Sequence, residues 1–234
     1  MNLSNNGSFD WTGYLVGEKL LLSLLSKMIY TAPEADWLQM LVSEDVFSEA
    51  PIGMEQPDIR EGLAYLQGWS VACKPQLTTE QVEEIQSDHL KLFIGAGKVL
   101  APPWGSVYLS EERLLFQKET LDVRRWYHRY GLQAERERNE PDDHIALELS
   151  FLSHLAGLAL EALAAGDPLR FNELIGAQSR FLDEHLGKWA GRWSSLVLKH
   201  ARSDFYRGAA LLVRGAVADL TQVLNTTSKE GLEQ

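Results

Sequence analysis

The chain has 234 residues, a formal net charge of −11 at pH 7 and 45% hydrophobic residues. This length can bury a large core, in one domain or two small ones, and the hydrophobic content excludes a disordered chain. The negative charge argues against a nucleic-acid binder. It fits a basic or neutral partner, and equally a chain whose surface charge only keeps it in solution.

Cysteine content and the N-terminus bear on the compartment. Cys73 is the only cysteine, so the chain holds no internal disulfide, which suits a reducing cytoplasm. Residues 1–10 are polar and lack the basic and then apolar pattern of a secretory signal. No uninterrupted apolar run approaches the roughly 20 residues of a membrane span. We therefore expect a soluble cytoplasmic protein without stable membrane insertion.

The first half of the chain shows apolar residues at helical spacing. It predicts helices over 11–30, 34–42 and 57–73, the first capped by Asp10 and the third opening at Pro57. Thr78 and Gln81 match a capping box that opens the next helix. That helix carries three candidate residues on its apolar face, namely His89, Leu92 and Phe93. A histidine in this position is usually a packing residue, and the alternative is that His89 lines a groove.

Residues 95–107 contain three glycines and two adjacent prolines, which predict an irregular loop. Pro102 and Pro103 exclude helical backbone at the residues that precede them. Trp104 therefore lies on a stiff, extended segment, followed by Gly105 and Ser106. A tryptophan in such a place either folds back into the core or is offered to a ligand.

The second half is also helical by pattern. Helices are predicted over 119–130, from about 142 to 165, and from Pro168 onward with Asp167 as N-cap. The next helix carries Trp189 and Trp193, and Ser203 caps the last one. A frayed tail is expected after Asn225. Strand-like alternation is not sustained anywhere in the sequence. We predict an all-α globular bundle of about ten helices in a single domain, 1–234. The charged stretch 132–138 is a candidate hinge between helical subdomains 10–131 and 139–225.

The stretch Asn139–Ile145 is unusually polar for its place before a long apolar helix. Read locally it is a helix start, with Pro141 in the first turn and carboxylates at the positive end of the helix dipole. Alternatively, Glu140, His144 and Glu148 recur every four residues and could form a weak metal or nucleotide site or an acid–base cluster. No zinc, di-iron, phosphate-loop or nucleophile motif accompanies them, so we expect neither an enzyme nor a cofactor.

Three motifs carry a resemblance to a known family. Glu-Pro-Asp-Asp-His-Ile at 140–145, Leu-Phe-Ile-Gly at 92–95 and Ala-Pro-Pro-Trp-Gly-Ser-Val-Tyr at 101–108 resemble the TorD/DmsD family of cytoplasmic chaperones for molybdenum-dependent redox enzymes. The resemblance covers about residues 15–220. The Pro-Pro-Trp form is closest to the dimethyl-sulfoxide-reductase branch. Members resemble one another in being all-helical and in binding the twin-arginine signal peptide of a reductase subunit.

The resemblance implies a set of peptide-binding residues. Carboxylates, oriented by His144, would pair with the two arginines, and an apolar groove would take the stretch that follows them. The implied set is His89, Leu92, Phe93, Pro103, Trp104, Gly105, Ser106, Glu140, Pro141, Asp142, Asp143 and His144.

The implied partner is the signal peptide of a molybdenum reductase catalytic subunit, with Tat translocase components as further candidates. A monomer is expected, with a domain-swapped dimer as the alternative. Two other functions stay open. One is an assembly factor that grips a folded reductase subunit, as in the nitrate-reductase branch. The other is a nucleotide-dependent regulator that uses Glu140, Asp143 and His144.

Overall fold

The computed structural model of the chain describes residues 9–95, 97–110, 118–132 and 141–230. Within these residues the chain forms ten α-helices and no strand, which confirms the all-α prediction. The helices are α1 (Trp11–Tyr30), α2 (Ala35–Ser43), α3 (Pro57–Ala72), α4 (Thr79–His89), α5 (Ser106–Leu109), α6 (Lys118–Arg129), α7 (Ile145–Ala164), α8 (Pro168–Glu184), α9 (Ala190–His200) and α10 (Asp204–Glu230).

Side chains at the predicted caps start several helices. The Asp10 carboxylate accepts a hydrogen bond from the Gly13 N–H at 3.0 Å, and Thr78 with Gln81 forms the reciprocal capping box of α4. The Asp167 carboxylate accepts from the Arg170 N–H at 2.9 Å. These local bonds satisfy N–H groups that a helix start leaves without partners, which is why the sequence marks them so well.

The bundle is built around two helix pairs that each join the first and second halves of the chain. α1 packs along α7, and α3 packs along α10. Across the first pair, the Ser26 hydroxyl donates to the Ala146 carbonyl at 2.7 Å. One cluster of buried apolar side chains runs through both halves. The predicted hinge lies, apart from Leu132, outside the described residues, so the division into subdomains stays a prediction.

Glycines let α3 and α10 approach closely. A Cβ built on Gly208 would lie 2.5 Å from Leu66 Cγ and 2.8 Å from the Gly62 carbonyl oxygen. A Cβ built on Gly62 would lie 2.9 Å from the Gly208 carbonyl oxygen. The backbones of α3 and α10 are therefore in contact at Gly62 and Gly208, where a side chain on either helix would clash with the other.

The chain turns sharply between α4 and α5. α4 continues into a π-helical turn, Leu90–Ile94, which ends at Gly95 with a φ of 71°. The chain then returns alongside this turn, because the Ala101 N–H donates to the Leu92 carbonyl at 2.9 Å. This return places the Pro-Pro-Trp loop (residues 101–105) against the start of α7.

Two predicted helix limits were wrong. α7 begins at Ile145 and not near 142, so Pro141 lies before the helix, because His144 takes the N-cap position. α10 continues past Asn225 to Glu230, where a frayed tail was expected.

Among the described residues, α7 alone is long and apolar enough to cross a membrane by length and composition, with a mean hydropathy of 1.4. In that window, 61% of the residues are buried inside the bundle. Because α7 packs against α1 and α8, its composition is that of a core helix.

Candidate functional site

The Pro-Pro-Trp loop and the acidic motif (residues 141–144) pair with each other directly. Trp104 and His144 face one another in an isolated antiparallel bridge. Next to it, the Ile145 N–H donates to the Pro103 carbonyl at 2.8 Å. Two segments about 40 residues apart in sequence, both singled out by the resemblance, thus form one local structure.

Asp143 holds this structure together. Its side chain is 1% exposed, and one carboxylate oxygen accepts from the Ser106 N–H at 2.6 Å. The other oxygen accepts from the Thr120 hydroxyl at 2.9 Å, and the Asp143 carbonyl accepts from the Gly105 N–H at 2.8 Å. A single residue therefore ties the loop, the start of α5 and α6 to the start of α7.

Asp142 is also buried and bound within the chain. One of its carboxylate oxygens accepts from Arg124 Nε at 2.9 Å and from Arg124 Nη2 at 2.7 Å. The Asp142 side chain is 1% exposed, whereas that of Arg124 is 26% exposed. The Tyr127 hydroxyl donates to the Asp142 carbonyl at 2.9 Å. Arg124 and Tyr127, both on α6, are partners of the motif that the sequence pattern did not single out, and so is Thr120.

His144 caps α7. Its Nδ1 accepts from the Ala146 N–H at 3.1 Å, so the neutral ring carries its proton on Nε2. Burial, reinforced by the charge of nearby His89, lowers the pKa of His144 to about 3. The ring centroids of Tyr30 and Trp104 lie 5.4 Å and 6.3 Å from that of His144, and both rings are nearly perpendicular to it. Nδ1 of His144 is thus occupied at the helix start. The expectation that His144 orients the carboxylates for a peptide stays a prediction.

The three predicted residues of α4 and the π-helical turn lie in the core. His89 is 3% exposed, and its Nε2 lies 3.0 Å from the Ile29 carbonyl, to which it donates. Burial lowers the pKa of His89, and this hydrogen bond opposes the shift. Leu92 and Phe93 are at most 1% exposed, and the Phe93 ring stacks on Trp193 at 5.8 Å. Their neighbours Leu90 and Ile94, which the prediction passed over, are 47% and 55% exposed.

The remaining predicted residues differ in their access to solvent. Pro103, Gly105, Ser106 and Pro141 are buried, and Trp104 is partly exposed. A Cβ on Gly105 would lie 3.0 Å from Trp189 Nε1, so a side chain there would crowd the indole ring. Glu140 lies outside the described residues.

Glu148 lies beneath the loop. It is 1% exposed, and burial raises the pKa of its carboxyl well above the usual range, with the charge of Asp143 adding to the shift. The Trp189 indole N–H opposes this rise, although it does not reach hydrogen-bonding geometry. No group of three metal-ligating side chains occurs in the described part of the chain. The acidic motif, the Pro-Pro-Trp loop and their partners Thr120, Arg124 and Tyr127 on α6 together form a buried polar clamp. This clamp has the features of a structural element.

Comparison with known proteins supplies the family. The family model of the nitrate reductase delta subunit matches residues 55–195. The chain belongs to this family. The resemblance to TorD and DmsD is confirmed as well, because both are found among its curated relatives.

The Tat proofreading chaperone DmsD of Salmonella typhimurium is 29% identical over 83% of this chain and 84% of its own length. The chaperone protein TorD of Aliivibrio salmonicida is 34% identical over 53% of this chain, which spans 56% of that relative. A solved structure, of a putative redox enzyme maturation protein from Archaeoglobus fulgidus, has 21% identity and a TM-score of 0.46, covering 96% of this chain and 98% of that one. The named relatives of this family member are chaperones, in agreement with the prediction of a non-enzyme.

Proposed function

We propose that this family member is a cytoplasmic chaperone that binds the twin-arginine signal peptide of a molybdenum reductase subunit before export. Two of its relatives carry the names that suggest this role. The observation that carries the proposal is the clamped loop, which presents the partly exposed Trp104 on a rigid support. A rigid aromatic side chain can contact an apolar peptide at little entropic cost.

We assign two roles within the predicted site, according to the exposure of its side chains. Trp104, with the exposed Leu90 and Ile94 beside the returning chain, offers apolar surface to a ligand. Asp142 and Asp143 have their carboxylates bound inside the chain, so a peptide arginine could reach them only by displacing those partners. Direct pairing of these carboxylates with the signal peptide stays a prediction.

Calorimetric titration of the full chain with a synthetic twin-arginine signal peptide tests the function. A peptide receptor binds this peptide in buffer that contains neither metal nor nucleotide. Binding that appears only when a nucleotide is added would favour the nucleotide-dependent regulator. Absence of binding under both conditions, with binding to a folded reductase subunit, would favour the assembly factor.

A further inference from the structure

Helix α1 carries apolar residues on two faces. One face is fully buried in the core, through Leu15, Leu22 and Leu25. The other bears Val16, Leu20 and Leu24 at intervals of four residues, of which Val16 is 44% and Leu20 60% exposed. A surface helix normally turns polar residues outward, so a second apolar stripe marks a surface that a partner can cover.

A groove runs beside this stripe. It has a volume of about 600 Å³ and lies between α1 and α2, with Leu63 of α3 and Leu212 of α10 also lining it. On the α2 side, Trp37 and the 41% exposed Met40 line the groove. This volume lies within the roughly 300–1,000 Å³ of typical binding clefts. Methionine adapts its shape to varied apolar partners, which suits a surface for peptides.

The rim of the groove is acidic. Glu44, Asp45 and Glu49, on the connector after α2, all lie on it and are exposed. Asp45 pairs with Lys74 at 3.1 Å, but both side chains are largely exposed, so the pair is weak and open to exchange. The one cation among the lining residues, Lys27, lies over the Trp37 ring at 4.7 Å from its centroid. The groove thus combines an apolar floor with three carboxylates at one margin.

We propose that this groove binds the apolar stretch of the signal peptide, with the peptide's paired arginines held by Glu44 and Glu49. The inference rests on the function proposed above and assigns that function a second contact surface. The chemistry is complementary, because the ligand joins two guanidinium groups to an apolar run and the groove joins carboxylates to an apolar floor. Unlike Asp142 and Asp143, the rim carboxylates are exposed.

The groove also adjoins the clamped loop through α1. Lys27 lines the groove, and Tyr30, about one turn further along the same helix, contacts the His144 ring. The groove and the clamped loop therefore meet along the same stretch of α1.

The apolar part of the groove is tested by replacing exposed residues whose loss leaves the core intact. Leu20→Gln and Met40→Gln each remove contact area from the groove. We expect each to weaken binding of the synthetic signal peptide about 10-fold, since each removes an apolar side chain that the peptide would bury. Leu169→Gln is the matched control, because Leu169 is 83% exposed on α8, away from the groove. That variant keeps wild-type affinity.

The acidic rim is tested by charge removal. The double variant Glu44→Gln with Glu49→Gln loses affinity at low salt by about 10-fold, and this loss shrinks as salt rises. Glu161→Gln is the control, because Glu161 is exposed on α7. This variant changes neither the affinity at low salt nor its dependence on salt. Circular dichroism of every variant verifies that the helices are intact.

The outcomes separate this inference from the proposed function. If the wild type binds the peptide and the groove and rim variants bind it equally well, the groove assignment is overturned and the function stands. If the wild type does not bind the peptide, both are overturned. Light scattering tests whether a second copy of the chain occupies the groove instead. A wild-type dimer that Leu20→Gln converts to a monomer would show this, and it would also overturn the assignment.

Discussion

At the scale of single residues, the buried Asp143 connects the Pro-Pro-Trp loop and α6 to the start of α7. Asp143 accepts hydrogen bonds through both side-chain oxygens and its carbonyl, and all three partners lie in other segments. A carboxylate so placed acts on the position of the loop, and through the loop on whatever Trp104 touches.

Asp143→Asn is therefore expected to lower the free energy of unfolding by about 1–3 kcal/mol, because a neutral amide makes weaker hydrogen bonds to the Ser106 N–H and the Thr120 hydroxyl than the carboxylate does. Urea unfolding followed by circular dichroism measures this. Asp183→Asn is the control, since Asp183 is exposed on α8, and it should change stability by less than about 0.5 kcal/mol. An Asp143→Asn protein as stable as the wild type would show that the clamp is not needed for folding.

The buried carboxyl of Glu18 predicts that the stability of the protein depends on pH. It is fully buried on α1, neither of its oxygens has a hydrogen-bond partner among the described residues, and burial with the charge of Asp219 raises its pKa well above 4.5. The unfolded chain ionises this group first, so stability is lost as the pH rises from about 4.5 toward the folded-state pKa.

Glu18→Gln removes this loss. We expect the variant to gain on the wild type as the pH rises above about 4.5, by at most about 1.4 kcal/mol per pH unit. Urea unfolding from pH 4.5 to 8 measures the difference, and Glu161→Gln is the exposed control. A difference that is independent of pH would mean that Glu18 is already ionised in the folded chain.

At the scale of elements, the Pro-Pro-Trp loop and the groove are each marked by a partly exposed tryptophan, Trp104 and Trp37. If the peptide contacts both, the fluorescence change on binding comes mainly from these two of the seven tryptophans. The double variant Trp37→Phe with Trp104→Phe should lose most of the change. Trp11→Phe, a partly exposed tryptophan that packs on Phe171, is the control and should keep it. A full signal in the double variant would place the peptide elsewhere.

The contact of α3 with α10 gives a prediction opposite to helix propensity. Alanine normally stabilises a helix by up to about 1 kcal/mol relative to glycine. Gly208→Ala should instead destabilise by about 1–3 kcal/mol, because its Cβ would meet the buried Leu66 at 2.5 Å. Gly68→Ala, on α3 with no atom within 4 Å of the new Cβ, should stabilise. Thermal unfolding compares the two, and equal effects would mean that the helix pair can separate to make room.

The elements differ in how well the sequence predicts them. The helix starts at Asp10, Thr78 and Asp167 were predictable, because each depends on a hydrogen bond from the cap side chain to the backbone N–H three residues later. The start of α7 was predicted about three residues too early, because Pro141 and its acidic neighbours also match a helix start, and histidine is not among the residues preferred at an N-cap. Burial of Asp142 and Asp143 depends on α6, whose Arg124 and Thr120 carry no local signal. The groove was missed because Leu20 looks like any other apolar residue until its exposure is known.

At the scale of the whole molecule, the fold places two surfaces on one scaffold. The clamp holds an aromatic loop at the start of α7, and α1 runs from that clamp to an apolar groove with an acidic rim. The net charge of −11 adds a long-range attraction for a peptide with two arginines. Affinity should accordingly decrease as salt increases, with the shorter-range apolar contribution remaining.

Binding of the peptide's arginine pair by carboxylates is tested most directly by comparing two peptides in calorimetric titrations of the full chain. One is a signal peptide with its arginine pair, and the other carries lysines in place of those two arginines. We expect the arginine peptide to bind with one site per chain and the lysine peptide to bind at least about 10-fold more weakly, because lysine cannot form the bidentate contact with a carboxylate. Equal affinity for the two peptides, or no binding of either, would contradict this expectation.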